Sequence, residues 1–211
     1  ALMSAVEWAE LEAEVARDIA AGLEEARARA IPNPATIAQY VMADESPDVA
    51  EAMGGLTRAE RAALPGTETP SEDGELLRYA EAIRRTMHHE LAINPKVVVF
   101  GEDVGRKGGV HLVTEGLQKQ FGNARVFDTS LSEEGIIGRA VAMAISGLMP
   151  VAEIQFRKYA DPATEQLNNT GTMRWRTANR FAAPMVVRMP GGFGKDVGDP
   201  WHSLSDEVRF A

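Results

Sequence analysis

The sequence predicts an α/β fold, with a parallel sheet flanked by helices. Residues 97–100 are an unbroken apolar run that ends directly at a Gly-Glu-Asp sequence, as a buried parallel strand ends at the edge of its sheet. Residues 140–148 are rich in Ala, Gly and Ile, which suits a helix packed closely against a sheet, and residues 151–156 form the next predicted strand. A strand, a helix and a second strand make a βαβ unit, whose ligands collect at the carboxyl ends of the strands.

The first element is a long acidic helix over residues 4–30. Its apolar residues recur every three or four positions and therefore share one face: Trp8, Leu11, Val15, Ile19 and Leu23. The glutamates lie largely outside that face, and Pro32 and Pro34 end the helix. We interpret the charged face as a solvated surface, with a dedicated partner-binding role as the alternative.

The composition changes after this helix. Residues 35–42 carry a short helical or irregular piece, and residues 43–75 are rich in Gly, Pro and Ser, with a weak helical pattern over 56–64. Such a composition is typical of a flexible linker. The predicted organisation is therefore a helical tail at 1–42, the linker at 43–75, and an α/β domain at 76–211.

The α/β domain alternates predicted helices and strands. Helices are expected at 75–92, 113–121, 140–148 and 161–178, and strands at 96–100, 125–128, 151–156 and 185–189. Between the first strand and the next helix, residues 101–109 contain four glycines. This loop is either a mobile rim of an active site or an ordinary flexible connection, and its composition leaves both readings open.

Composition excludes several classes of function. The chain has 211 residues, 45% of them hydrophobic, so it can bury a full core, and it has no Cys, which excludes disulfides, thiolate zinc sites and cysteine nucleophiles. No apolar run approaches the ~18 residues that a membrane span needs, and we expect neither a membrane partner nor a signal peptide. Because the sequence starts at Ala1 rather than Met, we expect an internal piece of a longer cytoplasmic polypeptide.

The formal net charge of −9 is distributed unevenly. Residues 1–75 hold 16 Asp or Glu against 5 Lys or Arg, whereas residues 76–211 hold 15 against 17. Phosphate backbones bind clustered Lys and Arg, and the sequence has no such cluster, so nucleic acid is not an expected partner. The nearly neutral second part would tolerate an anionic ligand.

The candidate chemistry centres on two adjacent carboxylates, Glu133 and Glu134, between a predicted strand and the small-residue helix. Glu133 is flanked by apolar residues and should be partly desolvated, whereas Glu134 is expected to be its exposed neighbour without a role. His202 follows a predicted strand and a glycine loop. That position suits either a catalytic or a structural histidine.

Two other patterns are interpreted as non-functional. His88 and His89 lie on the helix before the first strand with no third ligand nearby, so we expect them at the surface rather than around a metal. The glycines near Lys195 do not make a phosphate-binding P-loop, because Met189 stands where Gly is required and Asp196 replaces the required Ser or Thr. No metal site is predicted within this sequence.

From about residue 77 to 211 the sequence resembles the β-type, pyrimidine-binding half of the first, decarboxylating component of the thiamine-diphosphate-dependent 2-oxo acid dehydrogenase complexes, the pyruvate and branched-chain family. Six blocks in one order carry this resemblance: VFGEDVG at 99–105, VTEGLQK at 113–119, RVFDT at 125–129 with Ser132 and Glu133, EIQF at 153–156, PMVVR at 184–188, and His202 with Ser203. The acidic helix and the linker resemble the carboxyl-terminal tail of the α-type half, followed by a join. The resemblance therefore implies a fused α–β polypeptide.

The resemblance implies thiamine diphosphate as the cofactor. Glu133 matches the family's glutamate, which hydrogen-bonds the pyrimidine ring nitrogen and favours the imino tautomer that takes the thiazolium proton. Gln155 and Tyr159 fall where the family lines the pyrimidine pocket, in a form closer to the branched-chain type. Arg157 and Lys158 between them are more basic than the usual family pattern.

The resemblance also implies partners. His202 matches the family histidine that meets the substrate or the lipoyl group of the acyltransferase component, and the substrate is a 2-oxo acid that the sequence does not choose. The family's diphosphate and magnesium are held by the α-type half through a Gly-Asp-Gly motif, which this sequence lacks. The chain is therefore expected to hold half a cofactor site, to be inactive alone, and to assemble as a homodimer or a heterotetramer-like complex.

Two rival interpretations remain open. One is another thiamine enzyme with the same pyrimidine-binding domain, such as a transketolase-like or deoxyxylulose-phosphate-synthase-like protein. The other is a non-catalytic domain kept for assembly or regulation. The first predicts a different reaction at the same cofactor, and the second predicts that loss of the Glu133 carboxylate leaves activity unchanged.

Overall fold

The computed structural model describes residues 3–39, 59, 74–178, 180–192, 198–199, 201–205 and 208. The chain divides into two compact units, Ala1–Gln39 and Tyr40–Ala211. The linker predicted at 43–75 lies outside the described residues except for positions 59, 74 and 75, so its bounds stay a prediction. In the described part of the chain, no helix is both long and apolar enough to cross a lipid bilayer.

The first unit is built on one helix, α1 (Ala5–Ala28), close to the predicted bounds. Ser4 and Glu7 cap its start reciprocally: the Ser4 hydroxyl accepts the Glu7 N–H at 3.2 Å, and the Glu7 carboxylate accepts the Ser4 N–H at 2.7 Å. The helix has no buried residue, and its predicted apolar face is exposed, from 40% at Leu11 to 67% at Ile19. Within residues 3–39, nothing covers that face.

The second unit alternates helices and strands. Its elements are α2 (Tyr79–Ile93), β1 (Val97–Gly101), α3 (Leu117–Phe121), β2 (Val126–Asp128), α4 (Glu133–Ile145), β3 (Met149–Glu153), α5 (Thr164–Arg176) and β4 (Val186–Arg188). Short 3-10 turns lie at Val110–Leu112 and Arg157–Ala163.

The four strands form one parallel sheet in the order β2-β1-β3-β4. Gly101 at the end of β1 lies opposite Asp128 of β2 and Glu153 of β3, and Glu153 lies opposite Arg188 of β4. All four strands therefore end at the same edge of the sheet, with polar side chains on three of them. The predicted parallel α/β class is confirmed.

Both faces of the sheet are covered. Val98 and Phe100 of β1 pack with α4 through Ile136 and Ile137, which are at most 1% exposed. The alternate β1 residues, Val97 and Val99, pack on the opposite face with α2 and α3: Met87, Leu91 and Leu117. Alternation along one strand thus supplies two cores, which explains why β1 is apolar throughout.

Several predicted bounds were wrong: α2 begins at Tyr79 rather than 75, β3 covers Met149–Glu153 rather than 151–156, and three further helix starts differ. The helix predicted at 113–121 begins only at Leu117, because Gly116 has a left-handed φ of 79°. The helix predicted at 161–178 begins at Thr164, since Pro162 lies in the preceding 3-10 turn. The helix predicted at 140–148 begins seven residues earlier, at Glu133, so the carboxylate pair belongs to the first turn of α4.

Candidate active site

The start of α4 positions the carboxylate pair. The chain leaves β2 at Asp128 and enters α4 after Ser132. Glu133 is half-buried and Glu134 is exposed, because successive helical residues point about 100° apart and the adjacent Ile136 and Ile137 turn their own face into the core. Negative side chains are also favoured in the first turn of a helix by its dipole. The two neighbouring glutamates therefore have different environments.

A third carboxyl group, Glu102, directly follows β1 and interacts electrostatically with Glu133. Its side chain is only 7% exposed. Burial raises the pKa of Glu102 above its usual value, and the negative charges of Glu133 and then Asp103 raise it further. Among the described residues, the Glu102 carboxyl makes no hydrogen bond or ion pair. Burial and the neighbouring charge of Glu133 therefore both favour the neutral form of the Glu102 carboxyl.

Replacing Glu102 with glutamine should stabilise the protein increasingly as the pH rises. A carboxyl whose folded-state pKa is raised contributes its stability below the unfolded value, near 4.5, and that contribution is lost as the pH rises through the raised pKa. A glutamine side chain at this position cannot ionise and avoids this loss. Thermal unfolding of the wild type and Glu102→Gln at pH 5 and pH 8 should show the larger gain for the variant at pH 8. The exposed Glu134→Gln should show no such difference, and an equal gain at both pH values for Glu102→Gln would contradict this reading.

The glycine-rich loop after β1 is tied to the sheet edge. The Gly105 N–H donates to Asp128 Oδ1 at 2.6 Å, and the Gly109 N–H donates to the Asp103 carbonyl at 2.8 Å. Asp103 itself has a left-handed φ of 56°, and its carboxylate contacts Lys107 Nζ at 3.0 Å. Non-glycine residues hold such a backbone only where their surroundings impose it, which occurs often at functional sites. These contacts favour the interpretation of residues 101–109 as the rim of an active site over that of an ordinary flexible connection.

The two predicted pocket residues after β3 have different partners. Gln155 donates from Nε2 to Asp103 Oδ2 at 3.1 Å, which joins it to the loop after β1. Tyr159 packs against the core cluster beneath α4, and its hydroxyl lies 3.1 Å from His202 Nε2. The structure thus brings Tyr159 and His202 together. No hydrogen bond among the described residues joins either of them, or Gln155, to Glu133.

His202 sits in an aromatic and acidic environment. Its ring packs edge-on against Phe156, with ring centroids 4.5 Å apart, and against Tyr159 at 5.8 Å. Its Nδ1 lies 2.9 Å from Oδ2 of Asp199. The hydrogen bond from His202, and then the bond from the Trp201 N–H, hold the pKa of Asp199 below its usual value.

A buried ion pair closes the sheet edge between β3 and β4. Arg188 donates from Nη2 and Nε to Glu153 Oε2 at 2.6 and 2.9 Å, and the Val110 N–H donates to Glu153 Oε1 at 3.2 Å. Glu153 is 2% exposed, so its charge needs these partners. This carboxylate is a structural anchor of the edge rather than a free acid or base.

Among the described residues, no three His, Asp or Glu side chains come together as metal ligands would. His88 Nε2 lies 2.9 Å from Gln120 Oε1, and its ring packs against Phe121. This contact places His88 at the surface between α2 and α3, as predicted.

Sequence reasoning missed two residues of this edge. Glu102 appeared as part of the Gly-Glu-Asp sequence after the first strand and within a family block, but it was not named as a candidate site residue. Asp199 was not singled out, although an Asp three residues before a His can reach its ring.

Comparison with known proteins identifies the family. The model of the family described as "Transketolase, pyrimidine binding domain" matches residues 76–210. The chain belongs to this family. This family implies thiamine diphosphate as the cofactor.

Relatives of this pyrimidine-binding domain carry the names that the sequence resemblance pointed to. The 2-oxoisovalerate dehydrogenase subunit beta of Pseudomonas aeruginosa is 50% identical over 131 residues, which cover 62% of this chain and 37% of that protein. The pyruvate dehydrogenase E1 component subunit beta of Acholeplasma laidlawii is 45% identical over 136 residues, which cover 64% of this chain and 41% of that protein. The 2-oxoisovalerate dehydrogenase subunit beta of Bacillus subtilis is 42% identical over 137 residues, which cover 64% of this chain and 42% of that protein. The resemblance to the β-type half is confirmed, and the chain spans about two fifths of the length of these curated relatives.

Proposed function

We propose that this chain supplies the pyrimidine-binding half of a thiamine diphosphate site in a 2-oxo acid dehydrogenase, which decarboxylates a 2-oxo acid and passes the acyl group to a lipoyl group. The observation that carries this proposal is the half-buried Glu133 at the start of α4, beside the buried Glu102, at the carboxyl edge of a pyrimidine-binding domain. Ligands of parallel α/β sheets bind at this edge.

The residues at the edge fit an aminopyrimidine. Such a ring needs one carboxylate for its ring nitrogen and apolar or aromatic surfaces for its faces. Glu133 offers the carboxylate, and beside it burial and then the charge of Glu133 raise the pKa of the Glu102 carboxyl. Phe156 and Tyr159 offer aromatic surface on the same side of the sheet as α4. When bound, thiamine diphosphate supplies the electron sink for decarboxylation.

Individual roles follow from position. Glu133 would hold a proton at the ring nitrogen, and Gln155, fixed by Asp103, would line the pocket with Tyr159. His202 would meet the substrate or the lipoyl group through Nε2, the ring nitrogen that faces Tyr159. Only one of these groups, Glu133, is proposed to touch the cofactor's basic nitrogen.

Partners complete the site in this proposal. An α-type half, from the same or another chain, would hold the diphosphate and magnesium, and a lipoyl acyltransferase would take the acyl group. The pyruvate and 2-oxoisovalerate dehydrogenase subunits among the relatives support a 2-oxo acid as substrate. We propose a homodimer or a heterotetramer-like assembly. We propose a cytoplasmic location.

A substrate panel tests the proposal. The complete, assembled enzyme should reduce a dye acceptor with pyruvate or 2-oxoisovalerate, and only when thiamine diphosphate and magnesium are present. A transketolase-like enzyme would instead transfer a two-carbon unit between sugar phosphates. Transfer of that kind, without oxidation of any 2-oxo acid, would refute the proposed reaction while leaving the cofactor assignment intact.

A further inference from the structure

The backbone around Asp199 is organised by its carboxylate. Asp199 Oδ1 accepts the N–H of Trp201 at 2.8 Å and the N–H of His202 at 3.0 Å. The Asp199 carbonyl accepts the Ser203 N–H at 3.1 Å, and the Asp199 N–H donates to the Ser203 hydroxyl at 3.2 Å. Ser203 is 2% exposed, which anchors this turn in the domain. His202 Nδ1 lies 3.0 Å from Oδ1 and 2.9 Å from Oδ2, so both oxygens face the ring, whereas only Oδ1 also accepts the two backbone N–H groups.

The His202 ring is held at both nitrogens. Nδ1 lies 2.9 Å from Asp199 Oδ2, and Nε2 lies 3.1 Å from the Tyr159 hydroxyl. An ionised carboxylate can only accept a hydrogen bond, so the proton between His202 and Asp199 must sit on Nδ1. In the neutral ring, Nε2 is then the unprotonated nitrogen, and the Tyr159 hydroxyl donates to it.

We propose that Asp199 is a positioning residue that fixes His202 in the Nδ1–H tautomer and so presents a basic Nε2 to the reacting group. Carboxylate, imidazole and hydroxyl in this order make the arrangement by which a carboxylate orients a general base and stabilises its protonated form. The lowered pKa of Asp199, caused first by its bond to His202, keeps the carboxylate ionised as this role requires. The inference rests on the proposed function for the reaction that His202 serves, whereas the tautomer itself follows from the geometry alone.

Replacement by asparagine separates this role from a structural one. In Asp199→Asn, the amide oxygen must stay where Oδ1 accepts the two backbone N–H groups. The NH₂ group then takes the place of Oδ2, 2.9 Å from Nδ1, where its hydrogens oppose an Nδ1–H and donate to an unprotonated Nδ1; the proton is expected on Nε2 although the amide oxygen stays 3.0 Å from Nδ1. The variant therefore keeps the turn and inverts the tautomer. In Asp199→Ala, the ring loses its orienting partner but no wrong tautomer is imposed.

The expected order of activities is unusual and diagnostic. In the complete enzyme with its lipoyl-bearing partner, Asp199→Asn should lower kcat by about a hundredfold, with KM for the 2-oxo acid within about threefold of the wild type. Asp199→Ala should lower kcat only about tenfold. A purely structural role predicts the reverse order, because asparagine preserves the turn and alanine does not. Asp161→Asn is the matched control: Asp161 is a carboxylate bound to Lys158 in the 3-10 turn that carries Tyr159, and its loss should leave kcat within about twofold.

A second readout does not need activity. Long-range ¹H–¹⁵N spectra of the histidine-labelled enzyme, at a pH where the rings are neutral, report which nitrogen of each ring carries the proton. His202, assigned by its loss in His202→Gln, should show Nδ1–H in the wild type and Nε2–H in Asp199→Asn. If His202 is the Nε2–H tautomer in the wild type, or has the same tautomer in the wild type and in Asp199→Asn, the inference is overturned. If the wild type oxidises no 2-oxo acid, the proposed function fails, and the spectra still decide the tautomer.

Discussion

Replacing Glu133 with glutamine is expected to lower the rate of 2-oxo acid decarboxylation by the complete enzyme by about a hundredfold or more. Glutamine keeps the shape of the side chain and its place in the first turn of α4, but it can neither carry a negative charge nor transfer a proton. Loss of an acid–base group typically costs two to four orders of magnitude in rate. The measurement is steady-state turnover with saturating substrate and thiamine diphosphate.

The adjacent Glu134 provides the matched control. It lies in the same helical turn but is exposed, so Glu134→Gln should keep activity within about twofold of the wild type. The non-catalytic interpretation predicts that neither variant changes turnover. Equal activity of Glu133→Gln and the wild type would therefore favour a domain kept for assembly.

Replacing Gly101 with alanine is expected to destabilise the domain by about 3 kcal/mol. Gly101 ends β1 between Asp128 and Glu153, and a Cβ atom there would overlap the backbone carbonyl oxygen of Glu153 and lie 3.0 Å from its Cβ. Neither atom can move easily, because Glu153 is held by its ion pair to Arg188. The strand end that positions Glu102 must then shift, so both stability and activity should fall.

A second glycine-to-alanine change gives the opposite sign. Gly171 lies inside α5, and a Cβ atom there would meet nothing within 4 Å. Because glycine is unfavourable inside a helix, Gly171→Ala should stabilise the protein by about 0.5–1 kcal/mol. Denaturant unfolding of both variants measures the difference. A Gly101→Ala protein as stable as the wild type would contradict the close approach of β1 and β3.

The sheet could be predicted from the sequence because β1 carries its own signal. A strand that packs on both faces must be apolar throughout, and Val97–Gly101 is buried at every position. The start of α4, in contrast, could not be predicted correctly. Apolar content favoured the segment after Ala140, whereas the helix begins at Glu133, where charged residues face solvent and the site rather than the core.

The candidate site was predictable in part. Glu133 and His202 were candidates in the sequence because each follows a predicted strand, and the structure places the Tyr159 hydroxyl within hydrogen-bonding distance of His202. The pKa of Glu102 is raised first by burial and then by the charge of Glu133, which lies 31 positions further along the chain and comes near it only when the sheet has formed. Contacts between strands that are distant in sequence leave no local pattern to read.

The rate at which the thiazolium C2 proton of bound thiamine diphosphate exchanges with solvent deuterium most directly tests whether Glu133 serves the cofactor's pyrimidine. It is measured by acid quench and proton NMR on the complete enzyme without substrate, so neither the 2-oxo acid nor the lipoyl partner enters the result. The wild type and Glu134→Gln should exchange this proton at the same rapid rate, and Glu133→Gln should exchange it more slowly by about a hundredfold or more. Equal exchange rates in the wild type and Glu133→Gln, with cofactor bound to both, would contradict the role assigned to Glu133.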